Sequence, residues 1–103
     1  RGTAAVVADP HEIANVLGAA GVRYMVEASA ALPVGIYFMA PSCVPATPLE
    51  TAGARLEAPE IGRLFSDHPG RVIGLAEVMN VPGLLGGDPS LLAKVGAAAG
   101  RPI

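Results

Sequence analysis

The sequence predicts an α/β protein in which buried parallel strands alternate with covering helices. Short predicted strands with apolar interiors occur at residues 3–8, 34–40 and 71–77, and each is followed by a segment with helical periodicity. The chain is 51% hydrophobic and 16% charged, which suits strands covered on both faces. The strands lie far enough apart for a crossover helix between parallel neighbours. The composition fits the interior of a larger α/β body better than a free-standing domain.

The first unit is a strand over residues 3–8 followed by a long helix. Asp9, Pro10 and Glu12 resemble an N-cap, a first helical position and a capping-box glutamate. The helix is predicted to reach about residue 31, with a possible break near Gly18 and Gly21. Its predicted buried stripe consists of Ile13, Val16, Leu17, Ala20, Tyr24 and Ala28.

The next units follow the same plan. The second strand, 34–40, leads into a proline-rich loop over 41–53, and Pro59 begins a helix with Ile61, Leu64 and Phe65 on its inner face. A turn at 67–70 precedes the third strand. A glycine-rich loop over 80–87 then leads to a helix over 91–99 capped by Asp88, and residues 101–103 begin a further strand. Both the (β/α)₈ barrel and the doubly wound sheet use such units, and no internal repeat decides between them.

Composition argues against several function classes. The net charge is −2 and the seven Lys and Arg are scattered, so we expect no nucleic-acid partner. The longest uncharged stretch, 28–49, contains four prolines, and no signal-peptide pattern is present, so we expect no membrane segment. The single cysteine, Cys43, fits a reducing compartment and a cytoplasmic location.

Parallel topology sorts the polar residues onto two faces. Residues that follow strands share the face where βα proteins place active sites; these are Asp9, His11, Glu12, Ser42, Cys43, Thr47, Glu77, Met79 and Asn80. Residues that precede strands, including His68 and Arg71, share the opposite face. His68 is therefore predicted to have no functional role.

Glu77 is the most informative residue, because it ends an apolar strand where an ionised carboxylate is costly unless paired or bound to a cation. It is either a ligand or catalytic group, or a glutamate that has emerged into solvent or is paired with an arginine. Asp9 is either a helix N-cap or a site residue, and His11 is either a ligand or a surface histidine.

Two weaker features remain. Ser42 and Cys43 fit a small-residue turn better than a nucleophile, since no histidine is placed to activate them. The pattern PSCVPA is not the PCxxC of zinc-dependent cytidine-deaminase-type enzymes. The loop over 83–87 precedes a helix and could hold a phosphate, but it lacks the spacing and lysine of a P-loop.

Three segments carry a family resemblance: GTAAVVADPHEIANVLG, YFMAPSCVPATPLETAGA and GLAEVMNVPGLLGGDP. In order and spacing they resemble the adenine deaminases of the amidohydrolase superfamily. The resemblance covers essentially the whole chain. It implies a (β/α)₈ barrel, of which residues 1–103 form roughly strands two to four and the start of strand five within one catalytic domain.

The resemblance also implies a chemistry. Members carry a binuclear divalent metal centre, for which Mn, Fe or Zn would suit, and hydrolyse adenine to hypoxanthine and ammonia through a metal-bridged hydroxide. Glu77 matches the glutamate that bridges the two metals. Asp9, His11, Ser42 and Cys43 lie in segments that match loops beside the substrate pocket, and Asn80 is a further pocket candidate. The other ligands would lie outside this chain, so the isolated segment is predicted to be inactive and poorly folded, and the full-length enzyme a homo-oligomer.

Two alternatives remain open from the sequence. Another amidohydrolase acting on a cyclic amide or amidine would use the same fold and Glu77. A non-catalytic βα module would instead bind phosphate through residues 83–87, or the segment would serve as an interaction element through its edge strands.

Overall fold

The fold alternates strands and helices, as predicted. The structure is a computed structural model that describes residues 2, 4–44 and 53–103. Within these ranges the elements, in chain order, are β1 (Ala5–Ala8), α1 (His11–Leu17), α2 (Ala19–Ala28), β2 (Gly35–Ala40), α3 (Ala58–Asp67), β3 (Val72–Leu75), α4 (Val81–Leu85) and α5 (Pro89–Ala97). The predicted mixed α/β class is confirmed. Thr3 and most of the predicted loop over 41–53 lie outside the described residues.

The three strands form one parallel sheet in the order β1-β2-β3. Val6 is paired with Ile36, and Ala40 with Leu75, with an irregularity between Phe38 and Met39. Beyond β3 the amide of Leu75 donates a hydrogen bond to the carbonyl of Pro102 at 2.9 Å. The residues after Gly100 thus run along the outer edge of β3, where the sequence predicts the start of a further strand.

The hydrophobic core lies between the sheet and the helices α2, α3 and α5. Phe38 and Ala40 are two residues apart on β2 and therefore share one face, and both are buried in this core. The predicted inner face of α3 is confirmed, since Ile61, Leu64 and Phe65 are all buried. Arg101 extends the core outward by stacking its guanidinium 4.3 Å from the centre of the Phe65 ring.

β1 departs from the prediction of a strand covered on both faces. Val6 is 41% exposed and Val7 60% exposed. The strand lies at the edge of the sheet, and Ala8 is its residue that packs against the core. An exposed apolar surface of this kind is typical of a contact surface.

The first helix breaks at Gly18, where a φ of 63° interrupts the helical path. The predicted break is confirmed, but the predicted buried stripe is wrong: Val16, Leu17 and Tyr24 are 65%, 54% and 63% exposed, and Ala20 and Ala28 are exposed as well. The buried positions are instead Ala14, Gly18, Gly21, Val22 and Val26.

Small residues explain the shift of the buried face. A β-carbon at Gly18 would lie 3.4 Å from Ala54, and one at Gly21 would lie 2.9 Å from the carbonyl of Ile13. The amide of Ala54 bonds to the carbonyl of Asn15 at 3.0 Å. Close backbone packing thus buries the helix face that carries small residues, whereas helical periodicity predicts burial of the face with larger side chains.

The predicted glycine-rich loop over 80–87 is also only partly a loop. Residues 81–85 form the short helix α4, and the side-chain oxygen of Asn80 accepts a hydrogen bond from the amide of Gly83 at 3.0 Å. The predicted cap of the last helix is confirmed, because Asp88 Oδ1 accepts from the amides of Ser90 and Leu91 at 2.9 and 3.3 Å.

Arg71 ties together the opposite end of the sheet, at the start of β3. Its guanidinium donates to the carbonyl of Ile36 at 3.0 Å, to the hydroxyl of Ser29 at 2.7 Å and to the carbonyl of Val26 at 3.3 Å. The last two acceptors lie at the C-terminus of α2, where a cation is favoured. Arg71 also lines an open cleft of about 330 Å³ between this helix end and β2. Among the described helices, none combines the length and the apolarity that a membrane crossing requires.

Gly74 is required by close contact across β3. A β-carbon at this position would collide with the carbonyl oxygen of Pro102 and approach the Met39 side chain to 2.8 Å. We expect Gly74→Ala to lower the free energy of unfolding by about 1–3 kcal/mol, because the strand or residues 101–103 must move. Urea denaturation of the full-length protein, followed by circular dichroism, measures the change.

The matched control is Gly62→Ala in α3, where an added β-carbon meets nothing within 4 Å. This variant should be unchanged or stabilised by about 0.4–1 kcal/mol through its less flexible unfolded chain. Equal stability of Gly74→Ala and the wild type would contradict the packing of residues 101–103 against β3.

Candidate active site

The carboxyl ends of the three strands bring most of the predicted site residues to one edge of the sheet. Asp9 directly follows β1, Ser42 and Cys43 follow β2, and Glu77 follows β3. The hydroxyl of Ser42 bonds to the main chain of Glu77, which places the ends of β2 and β3 side by side. Asp9 lies at the end of β1, the strand that pairs with β2. His68, by contrast, caps the C-terminus of α3 before β3 begins, on the opposite edge as predicted.

Asp9 does not cap the first helix. The N-cap position is Pro10, no side-chain cap is present, and α1 begins at His11. The capping-box interpretation is therefore wrong, because the helix starts one residue later than the Asp–Pro pattern suggests. The Asp9 carboxylate turns instead toward the imidazole of His11, and Oδ2 lies 3.3 Å from Nδ1.

Burial raises the pKa of Asp9 above its usual value. The negative charge of Glu77 pushes the pKa in the same direction, while His11 opposes both through its charge and hydrogen bonding. Asp9 Oδ1 and His11 Nδ1 are buried and have no hydrogen-bond partner among the described residues; the 3.3 Å approach of Nδ1 to Oδ2 therefore lacks the geometry of a hydrogen bond. Two buried polar atoms are thus left without a partner at the end of β1.

Ser42 is 1% exposed, and its hydroxyl donates to the carbonyl oxygen of Glu77 at 2.5 Å. The Ser42 hydroxyl oxygen also lies 3.3 Å from the sulfur of Cys43, which is 4% exposed. Both residues therefore fit the small-residue turn that the sequence favours, with the hydroxyl engaged in a structural bond rather than presented as a nucleophile.

Glu77 stands two residues beyond the end of β3. The sheet bonding continues for one more residue, since the amide of Ala76 donates to the carbonyl of Ala40 at 2.8 Å. The Glu77 residue itself is exposed, and no ion pair to an arginine or lysine is found for it within the described ranges. Of the alternatives for this residue, pairing with a described arginine is excluded, whereas its exposure fits a glutamate that has emerged into solvent as well as one that holds a ligand.

The remaining pocket candidate, Asn80, uses its side-chain oxygen to cap α4. The sequence did not predict this use, nor the contact between Asp9 and His11. The Asn–x–x–Gly spacing is compatible with a helix cap. The sequence signal for the contact between Asp9 and His11 is an aspartate two residues before a histidine.

The described residues contain no group of three or more His, Cys, Asp or Glu side chains placed to hold a metal ion. The carboxylates of Asp9 and Glu77 and the imidazole of His11 are ligand types that divalent transition metals accept. This edge of the sheet can thus contribute some of the ligands of a metal centre, but not a complete set.

Comparison with known proteins supports the resemblance seen in the sequence. The chain is 57% identical over 102 residues to "Adenine deaminase" of Oleidesulfovibrio alaskensis, a match that covers 99% of this chain and 18% of that protein. It is 60% identical over 95 residues to "Adenine deaminase" of Syntrophobacter fumaroxidans, covering 92% of this chain and 16% of the relative. It is 56% identical over 100 residues to "Adenine deaminase 2" of Carboxydothermus hydrogenoformans, covering 97% and 17%.

The chain therefore spans less than a fifth of the length of these curated relatives. No protein-family profile matches it. The similarity is nonetheless continuous over nearly every residue of the chain, which shows that the chain is homologous to one segment of proteins named adenine deaminase.

The raised pKa of Asp9 predicts a pH-dependent stability. A carboxyl group whose pKa is higher in the folded than in the unfolded protein stabilises the fold at low pH, and this stabilisation is lost as the pH rises through the folded-state pKa. Replacing Asp9 with Asn removes the buried charge, so the variant should gain stability relative to the wild type between pH 3 and pH 7. Unfolding free energies of the full-length protein at both pH values, measured with a chelator present, test this.

Asp67→Asn is the control, because Asp67 is an exposed carboxylate on α3 that pairs with Arg23 at 3.3 Å. This pair favours the charged carboxylate, so its removal should produce no gain at pH 7. A stability difference between Asp9→Asn and the wild type that does not change with pH would refute the assignment of a disfavoured charge to Asp9.

Proposed function

We propose that this chain is a segment of an adenine deaminase, an enzyme that hydrolyses adenine to hypoxanthine and ammonia in the cytoplasm. The observation that carries the proposal is the continuous similarity to proteins of that name, at 52–60% identity. The placement of Asp9, His11 and Glu77 at one edge of the sheet supports it, because carboxylates and imidazoles at strand ends are the groups that hydrolytic chemistry uses.

We further propose that the three strands form an arc of a (β/α)₈ barrel, corresponding to strands two to four, with residues 101–103 beginning strand five. The sequential parallel order β1-β2-β3 supports this assignment. A barrel adds each strand next to the one before it, and the contact of Leu75 with Pro102 continues that order. The open edge of β1 is where the preceding strand of a barrel would pair.

The proposed metal role of Glu77 is compatible with the local electrostatics. Asp9 and Glu77 place two carboxylates close enough for their charges to interact, and Asp9 Oδ1 is buried without a partner in the described ranges. A nearby cation would relieve both costs. Bound manganese, iron or zinc ions would supply Lewis acidity and the water-derived nucleophile for such a reaction.

In this proposal one residue of the chain would hold the metal centre, and others would orient the groups around it. Glu77 would contribute one carboxylate to the centre. His11, whose Nδ1 lies 3.3 Å from Asp9 Oδ2, would accept a hydrogen bond from the substrate or bind a cation through a ring nitrogen. Asn80, which follows β3, would shape the neighbouring wall, and Cys43, which follows β2 and is buried, would support that wall from behind.

The phosphate-binding alternative loses its support. Residues 81–85 are helical rather than an open glycine-rich loop. The carboxylate of Asp88 occupies the amide groups at the start of α5 that an anion would need. A different amidohydrolase activity would be recognised by turnover of a cyclic amide in preference to adenine, in assays of the full-length enzyme.

The central test is Glu77→Gln in the full-length enzyme. The change keeps the size of the side chain and removes its negative charge. We expect bound metal and kcat/KM for adenine to fall by more than the roughly 10- to 100-fold that loss of an outer-shell partner costs. Metal content by mass spectrometry and ammonia release from adenine provide the two readouts.

Glu27→Gln serves as the matched control, because Glu27 is an exposed glutamate near the C-terminus of α2. Metal content and turnover of this variant should equal those of the wild type. Full metal occupancy and full activity of Glu77→Gln would rule out the proposed role.

The bare segment of residues 1–103 should be inactive toward adenine and should associate with itself. Val7, Leu85 and Ile103 are 60%, 83% and 62% exposed, and β1 presents a free sheet edge. Size-exclusion chromatography with light scattering over a range of concentrations checks the association. A monodisperse monomer that unfolds in one cooperative step would contradict this prediction.

A further inference from the structure

We propose that Ser42 is a positioning residue for Glu77, rather than a residue that contacts the substrate. The inference rests on the proposed function and assigns a role to a side chain that the similarity alone leaves undefined. Ser42 is 1% exposed, so a molecule in the pocket cannot reach its hydroxyl without displacing protein atoms. Its interaction partner is already given by the structure: the main-chain carbonyl of Glu77, at 2.5 Å.

The position of this bond in the sheet explains its effect. The described main-chain bonding between β2 and β3 reaches the amide of Ala76, which donates to Ala40 at 2.8 Å. The hydroxyl of Ser42 then fixes the next residue of the chain, Glu77, to the end of β2. A side-chain bond thus extends the sheet by one residue, to the point where the proposed ligand leaves it.

Glu77 needs such a restraint because its own side chain has none within the described residues. It is exposed and is not engaged in any hydrogen bond or ion pair described for the chain. The direction of its carboxylate therefore depends on the orientation of its main chain. A residue that holds a metal ligand in place typically affects metal affinity about 10- to 100-fold when it is removed.

The experiment uses the full-length enzyme with Ser42→Ala, Mn²⁺ as the probe and a chelator competition to measure metal affinity. We expect the dissociation constant for Mn²⁺ to rise about tenfold or more. At saturating Mn²⁺ we expect kcat for adenine to fall while KM changes little, because Ser42 does not touch the substrate. An affinity within twofold of the wild type in the folded variant would overturn the proposal.

Val44→Ala separates positioning from general loss of stability. Val44 is fully buried two residues away, and truncating it removes core packing without altering the bond to Glu77. This variant should melt at a lower temperature than the wild type and retain its Mn²⁺ affinity. An equal loss of affinity in Val44→Ala and Ser42→Ala would also overturn the proposal.

Two further variants keep the result interpretable. If Ser42→Ala does not fold, Ser42→Cys carries the test, because a thiol is a longer and weaker donor that cannot keep a 2.5 Å bond; unchanged Mn²⁺ affinity would then refute the positioning role. Glu77→Gln distinguishes failure of the proposed metal role from failure of the positioning role. Normal Mn²⁺ binding in that variant defeats the proposed metal role itself, whereas loss in Glu77→Gln with normal binding in Ser42→Ala defeats only the positioning role.

Discussion

The parallel alignment of three neighbouring strands is the constraint on which the rest of the structure depends. Because β1, β2 and β3 run in the same direction and pair in chain order, the residues that follow them must meet at one edge of the sheet. Asp9, Ser42 and Glu77 are far apart in the sequence, yet this geometry brings them together. The helices α2 and α3 stabilise the arrangement from one side by burying Phe38 and Ala40.

The same alignment places a partly buried carboxyl group, Asp9, near the charge of Glu77, which raises the free-energy cost of ionising Asp9. A residue with a purely structural role would not be expected to carry this cost. Asp9 is partly buried, its pKa is raised, and the nearby carboxylate of Glu77 adds to the cost of its charge. Perturbed carboxyl groups of this kind concentrate at functional sites. At the opposite edge Arg71 donates to three oxygen acceptors and ties the strands to α2, although Nε2 of His68 is also buried there without a partner in the described part of the chain.

The sequence predicted the order and type of the main elements because their physical causes are local. Continuous apolar runs defined β2 and β3, Asp88 and Pro89 marked the start of α5, and Gly18 marked the break between α1 and α2. The sorting of residues by strand ends also correctly separated Glu77 from His68. These predictions needed only the alternation of strand and helix periodicities and the rule that residues after parallel strands share one edge of the sheet.

The incorrect or missing predictions had both distant and local causes in the chain. The buried face of the first helices depends on the approach of Ala54 to Gly18 and Asn15, which no local periodicity contains. The turn of Asp9 toward His11 replaced a cap that the Asp–Pro pattern had favoured. The bond from Ser42 to Glu77 joins residues 35 positions apart, so its existence required the sheet register to be known.

The most direct measurement of the central claim is anomalous diffraction at the manganese edge from crystals of the full-length enzyme grown with Mn²⁺. The account predicts an anomalous peak within about 2.0–2.3 Å of a carboxylate oxygen of Glu77, at the distance of a direct metal–oxygen bond. A fully occupied metal site elsewhere, with the Glu77 carboxylate in solvent or paired with an arginine, would contradict it.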